Sequence, residues 1–265
     1  MAVTTITSSR PSGTFLAIPP SIRHYHQVDK RAGDEFAALY PGIWDMARAS
    51  RLFLGRVVSH LAGQADIRQF LDIGTGLPSN ENTHEVAQRA APGSRVVYVD
   101  NDPLVMTHAR ALLTGVAPET TDYIDGDLSD PAKIIAAARE KLDFTRPVAI
   151  MLMGILGHIG DPETDGDQFA ASVVSRLKAA LPAGGYLVIR DATNTVRAHV
   201  EALRAYQQTG AIPYRLRGPE QVARFFDGLD AVEPGIVPIQ RWRPDQRSSL
   251  FPVDINMWGG AAVKR

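Results

Sequence analysis

The sequence predicts an α/β protein: a mostly parallel sheet with helices on both of its faces. Three observations carry that expectation. Five apolar, strand-like segments recur along the chain. A helical pattern separates each from the next. The first segment runs into two glycines one residue apart, in QFLDIGTGLPSNENTHEVAQ at residues 69–88. Strands joined through helices run parallel and are buried on both faces, so they read as continuous apolar runs.

The elements follow in order. Residues 1–13 are Ser/Thr-rich, which predicts a disordered tail ahead of an expected single domain over 14–265 with a helical cap over about 14–66. Leu54, Val57, Val58 and Leu61 fall at i, i+3, i+4 and i+7, which predicts a helix over about 43–62. QFLDI is the first strand, with a helix near 84–91, and RVVYVD at 95–100 is the second. Val105, Ala109 and Leu112 line the next helix, and DYIDGD at 122–127 is a shorter third strand. Asp130 and Pro131 read as an N-cap and first-turn proline. PVAIMLMG at 147–154 is the fourth strand, and Phe169, Val173, Leu177 and Leu181 stripe the helix after it. GGYLVIRDA at 184–192 is the fifth, followed by helices at about 196–209 and from Pro219 to Phe226. LDAVEPGIVPI and INMWGGAAVKR give two more strands with no helix between them, so one of them runs antiparallel.

Composition removes several function classes. The 265 residues carry a formal net charge of −1, which provides no field for nucleic acid or an anionic membrane. There is no cysteine, hence no disulfide, thiolate nucleophile or Cys-bound metal, a pattern that fits a cytoplasmic protein. No apolar run approaches the roughly 18 residues of a membrane helix, and the N-terminus has no leader pattern. No H-E-x-x-H spacing marks a metal site, and no G-x-S-x-G marks a hydrolase. The expected partner is a small molecule. A homo-oligomer stays open.

Gly74 and Gly76 sit where a strand turns toward a helix, and Asp100 ends the second strand 24 residues beyond Gly76. Glycine lets a ligand approach the backbone, and a strand-end carboxylate accepts both ribose hydroxyls, so the pair predicts a nucleoside cofactor. The dinucleotide pattern needs a third glycine, where this chain has G-T-G-L-P-S, and the polar SNENT stretch delays the helix that would hold a diphosphate. Asp72, just before the loop, suits a cationic ligand better than a polyanion. These features favour S-adenosylmethionine over a nicotinamide dinucleotide. Two rivals remain: a module that binds the cofactor without turnover, and a nicotinamide-dependent oxidoreductase.

The run FLDIGTGLPSNENTHEVAQRAAPGSRVVYVDNDPLVMTHARALL, with DGDLSDP, RFFDGL, VEPGIVPIQRWRP and WGGAAVKR, resembles an actinobacterial family of S-adenosylmethionine-dependent methyltransferases long catalogued as a domain of unknown function. The likeness covers roughly residues 45–265. It implies the Rossmann-like class I methyltransferase fold, with a seven-stranded sheet ordered 3-2-1-4-5-7-6 and one antiparallel strand. It matches Asp72, Gly74, Thr75 and Gly76 to the cofactor loop around the methionine portion. Asp100 matches the ribose acid and Asn101 the residue beside the adenine. Asp127, with Leu128, matches the contact to the adenine amino group, and Met153 and Gly154 close the fourth strand under the sulfonium.

The chain departs from the family near its N-terminus, where RHYHQVDKRAGDEF replaces a Gly-Gly-Lys-Asp-Asn-Phe-like segment, so Arg23, Tyr25 and His26 are lid candidates. Arg23 is a candidate partner for the methionine carboxylate. His158, after the fourth strand, is the candidate general base for a hydroxyl or amine acceptor. His84 and His108 read as structural, as does the RWR run at 241–243.

Overall fold

The computed structural model describes residues 34–76, 81–103, 105, 107, 119–160, 166–208, 213–251 and 255–265. Residues 34–39 are helical. The chain then forms α1 (Ile43–Gly63), β1 (Gln69–Ile73), α2 (Thr83–Ala90), β2 (Arg95–Asp100), β3 (Thr121–Asp125), α3 (Pro131–Arg139) and β4 (Ala149–Met153). There follow α4 (Gly166–Ala180), β5 (Tyr186–Ala192), α5 (Arg197–Gln207), α6 (Pro219–Arg224), β6 (Asp230–Ala231), β7 (Val237–Pro238) and β8 (Met257–Val263).

The sheet order is β3-β2-β1-β4-β5-β8-β6, with β7 also paired to β8. Strands β1 to β5 are mutually parallel. β8 runs antiparallel to β5, β6 and β7. This is the class I methyltransferase order with one strand more than expected. The difference has a local cause. The segment read as one strand over 229–239 carries Pro234 and Gly235 at its middle, where proline cannot donate to a ladder. It splits into two-residue strands on either side of the turn.

Alternation along each strand divides the core. Phe70, Val96, Ala149, Met151 and Val188 face α1 and α2, where they meet Phe53, Val57 and Leu61. Leu71, Val97, Ile150, Leu152 and Ile189 face α3 and α4, with Ile134, Val173 and Leu177. Each of these side chains other than Ala149 contributes about 1.5–3 kcal/mol through burial, so both helix layers are firmly seated. α3 starts as read: Asp130 accepts a hydrogen bond from the Lys133 N–H at 3.2 Å, and Pro131 opens the first turn. The α4 stripe holds at Val173, Leu177 and Leu181 and fails at Phe169. Ala170, Val173, Val174 and Leu177 are buried, whereas Phe169 is exposed.

The register also sets polar side chains in rows on the α1 face. Asp72 pairs with Tyr98 and Tyr98 with Tyr123. Two residues further along, Asp100 lies at the end of β2, and Met153 pairs with Arg190. Both rows lie at the carboxyl ends of the parallel strands, where ligands bind in open α/β sheets.

Candidate functional site

A cleft of about 290 Å³ opens at those strand ends, roofed in part by Ala47, Ser50, Arg51 and Leu54 of α1. Asp72, Gly74, Thr75, Gly76, Asp100 and Asn101 line one side, and Asp127, Leu128, Met153, Gly154 and His158 another. Arg23, Tyr25, His26 and His108 lie outside the described residues.

The loop after β1 depends on its glycines. Gly74 has φ +75°, and a Cβ there would stand 2.6 Å from the Ile155 side chain. Its N–H donates to the Val99 carbonyl at 2.8 Å, which holds the loop against β2. The Gly76 N–H donates to Asp100 Oδ2 at 2.9 Å, and the Asp102 N–H donates to Oδ1 at 3.0 Å. Asp100 therefore ties the loop to the end of β2 as well as facing the cleft. Burial pushes its carboxyl up, and backbone donors at Asp102, Gly76 and Asn101 oppose that shift. Asp127 is exposed at the rim and accepts from the Ser129 N–H at 2.8 Å.

Asp72 is only 4% exposed and accepts from the Thr83 hydroxyl at 2.6 Å. Burial pushes its carboxyl up to about 6, against that bond and the nearby charges of Arg51 and Arg190. The surroundings of Asp72 thus have mixed charge, and two arginines face it that sequence reading did not single out. Tyr98 forms the floor beside it, stacked on Tyr123 at 5.0 Å between ring centres.

His84 lies behind the floor. Its backbone N–H donates to the Tyr98 hydroxyl at 2.9 Å, and its Nδ1 pairs with the same hydroxyl at 2.8 Å. The Glu85 carboxylate accepts from the Asn82 N–H at 2.7 Å. The start of α2 has therefore already used donors that a diphosphate would need, and it carries an acid.

Arg190 had one legible signal: with its neighbour Asp191 it puts charge into a strand whose other residues from 187 to 192 are apolar. It is 7% exposed. Its Nη2 donates to the Met153 carbonyl at 2.8 Å, while its Nε has no partner. Gly154, at φ +90°, makes room for it, since a Cβ there would stand 2.5 Å from Arg190 Nη1. Arg51 lies one helical turn before the buried Leu54, and it has no hydrogen-bond or ion-pair partner among the described residues.

Residues 213–217 support the segment after β4. His158 Nδ1 donates to the Pro213 carbonyl at 3.2 Å, and its ring meets Tyr214 edge-on at 4.7 Å. That bond places the ring proton on Nδ1 in the neutral tautomer. The Arg215 N–H donates to the Gly157 carbonyl at 2.8 Å, and Arg217 Nη1 donates to the Leu156 carbonyl at 3.0 Å. Beneath them the Tyr214 hydroxyl donates to Asp191, which also pairs with Arg217 at 3.4 Å. Among the described residues, no group of His, Asp or Glu is arranged to hold a metal ion, and no helix is long and apolar enough to cross a membrane.

The model of the S-adenosyl methyltransferase family matches residues 22–265. The chain belongs to that family. Within this S-adenosyl methyltransferase family the methyl donor is S-adenosylmethionine. A protein of the DUF574 family from Streptomyces avermitilis is 40% identical over 95% of both chains, with a TM-score of 0.85. A candidate methyltransferase from Thermobifida fusca is 34% identical over 98% of this chain and 97% of its own, with a TM-score of 0.86. An O-methyltransferase family protein from Burkholderia thailandensis shares the fold at 14% identity and a TM-score of 0.56, over 90% of this chain and 60% of its own. No curated protein matches the chain.

The site residues fit the donor. Glycines at the loop leave the backbone open, a strand-end carboxylate faces the cleft, and a buried arginine nitrogen lacks a partner.

Proposed function

We propose that the protein transfers a methyl group from S-adenosylmethionine to a small-molecule acceptor, with this cleft as its active site. One observation supports the reading above the rest. The Gly74–Gly76 loop, Asp100 and Asp127 share a single cleft at the ends of β1, β2 and β3, in a chain of the S-adenosyl methyltransferase family. Asp100 accepts the ribose hydroxyls. Asn101 and Leu128 flank the adenine, and Asp127 accepts from its amino group. Gly74, Thr75 and Gly76 open the backbone to the methionine portion, and Met153 and Gly154 lie under the sulfur.

The donor supplies a methyl group already activated by its positive sulfur. The chain's own work is therefore alignment and exclusion of water. Leu54, Ile155 and Ile159 give the cleft apolar walls for that purpose. His158 takes the proton from an acceptor hydroxyl or amine, and Pro213 and Tyr214 fix its ring. The formal net charge of −1 provides no field for a polyanionic acceptor.

Calorimetry with S-adenosylmethionine and S-adenosylhomocysteine, paired with a tritiated-methyl assay over a metabolite library, tests the reading. The expected result is binding of both nucleosides and transfer of label to at least one metabolite. Binding of neither, or tight binding of NADH instead, overturns it. Binding without any transfer would identify a cofactor-binding module.

A further inference from the structure

We infer that residues 213–217 form a strap that positions His158 for proton removal, with Tyr214 and Asp191 as positioning residues outside the cleft. The inference rests on the reading of the cleft as a methyltransferase site with His158 as its base. It adds which imidazole nitrogen does the work and which buried groups enforce that choice.

Three features converge. First, the strap grips three consecutive residues of the short turn Leu156–His158. Arg217 Nη1 donates to the Leu156 carbonyl at 3.0 Å, and the Arg215 N–H donates to the Gly157 carbonyl at 2.8 Å. The Tyr214 ring fills the space that a Cβ would need at Gly157, and it meets the His158 ring at 4.7 Å and 84°. Of the three turn residues, only His158 lines the cleft, and neither Tyr214 nor Asp191 does. The grip therefore comes from outside and presents one side chain inward.

Second, the strap selects a tautomer. His158 Nδ1 lies 3.2 Å from the Pro213 carbonyl, a group that can only accept. The neutral ring therefore carries its proton on Nδ1 and its lone pair on Nε2. Nε2 is the atom that takes the acceptor's proton. The acceptor's oxygen or nitrogen bonds to the methyl carbon, the carbon–sulfur bond breaks with its electron pair going to sulfur, and the proton passes to Nε2. The imidazolium keeps its Nδ1–H on Pro213 and returns the Nε2 proton to solvent.

Third, the strap is anchored away from the cleft. Asp191 is fully buried near the end of β5. It accepts from the Tyr214 hydroxyl, from Arg217 Nη1 at 3.4 Å and from the Ala192 N–H at 3.1 Å. Arg217 Nε also donates to Asp167 on α4 at 3.0 Å. The Tyr214 carbonyl accepts from Gln207 Nε2 of α5 at 2.8 Å, and the Arg217 carbonyl accepts from the Asn194 N–H at 3.1 Å. A buried carboxylate is tolerated only with its donors in place, so this network fixes the strap, and the strap fixes the ring.

The test is the tautomer of His158. It is read from long-range proton–nitrogen correlation spectra of protein carrying isotope-labelled histidine, at about pH 8, where an ordinary imidazole is neutral. The chain has seven histidines, and the His158 signal is the one lost in His158→Gln. The wild type should show the Nδ1–H form. Tyr214→Leu removes both the ring and its anchor, and it should give a mixture with the Nε2–H form. Tyr214→Phe keeps the ring against the turn and loses only the bond to Asp191. It serves as the second variant if the first does not fold, and it should shift the same way by less. Both variants should keep wild-type affinity for S-adenosylhomocysteine in calorimetry. Their kcat toward the metabolite labelled in the transfer screen should fall roughly 10- to 100-fold, with KM for S-adenosylmethionine unchanged. A wild-type Nε2–H form, or folded variants that retain the Nδ1–H form, would overturn the inference. Loss of S-adenosylhomocysteine affinity in step with turnover would show a merely structural role and overturn it as well. Failure of the wild type to bind S-adenosylhomocysteine would instead contradict the underlying reading of the cleft, whatever the tautomer.

Discussion

The two ends of the cleft are built by different means. At the β1–β2–β3 end, residues close in sequence do the work through the backbone. The Gly76 and Asp102 N–H groups both donate to the Asp100 carboxylate, and the Gly74 N–H donates to the Val99 carbonyl. At the β4–β5 end, long side chains from distant segments converge: Arg51 from α1, Arg190 and Asp191 from β5, and Tyr214 and Arg217 from beyond α5. A backbone cradle suits a nucleoside common to many reactions. A side-chain-built wall can vary, and it is where discrimination among ligands and acceptors resides in this account.

The largest expected effect tests the second end. Asp191→Ala removes one of the two carboxylates that pair with the buried Arg217, the other being Asp167 at 3.0 Å, and it removes the acceptor of the Tyr214 hydroxyl. It should cost about 3–5 kcal/mol of stability in urea unfolding. A loss under 1 kcal/mol would mean that the buried network does not organise this wall. The other end should respond locally. Asp100→Ala should leave the fold intact and weaken S-adenosylhomocysteine binding by about 1–3 kcal/mol in calorimetry, with added loop mobility from the freed Gly76 and Asp102 N–H groups. Unchanged affinity would remove Asp100 from the ribose site.

Asp72 lies between the two ends, and its titration sharpens the comparison. Its folded-state carboxyl is raised to about 6 by burial, with Thr83, Arg51 and Arg190 opposing the shift and Asp100 adding to it. A raised carboxyl means that the native state holds the proton more tightly than the unfolded chain. This group's contribution to stability is therefore present at low pH and lost as pH rises through about 6. Binding of an ammonium needs the ionised form, so cofactor affinity should run the other way and increase roughly several-fold between about pH 5 and about pH 7. Asp72→Asn should flatten both profiles, in thermal unfolding of the ligand-free protein and in calorimetry. A steep affinity profile surviving in that variant would place the titrating group elsewhere. The smallest effect is expected for His158→Ala. Cofactor affinity should change by less than about 0.5 kcal/mol, while transfer to a protic acceptor falls. A large affinity loss would make His158 part of the cofactor wall.

The contrast between the ends also explains what the sequence disclosed. β1 and β2 have the bounds that the apolar runs implied, because strands buried on both faces leave little ambiguity. The glycine loop and Asp100 were legible because the strand, turn and next strand end are contiguous. Arg51 and Arg190 were not, since their meeting depends on sheet order and on α1 lying over one face. Arg190 could have been flagged as a charge in a buried strand, whereas Arg51 on a helix flank resembles any solvated arginine. Phe169 was misplaced for a related reason: apolar spacing on α4 fits two neighbouring faces, and packing chose Ala170.

The most direct test is a crystal structure of the protein with S-adenosylhomocysteine. The ribose hydroxyls should rest on Asp100, with the adenine between Asn101 and Leu128 and the sulfur over Met153 and Gly154. A nucleoside bound outside this cleft, or lying in it with its sulfur away from Met153 and Gly154, would contradict the account.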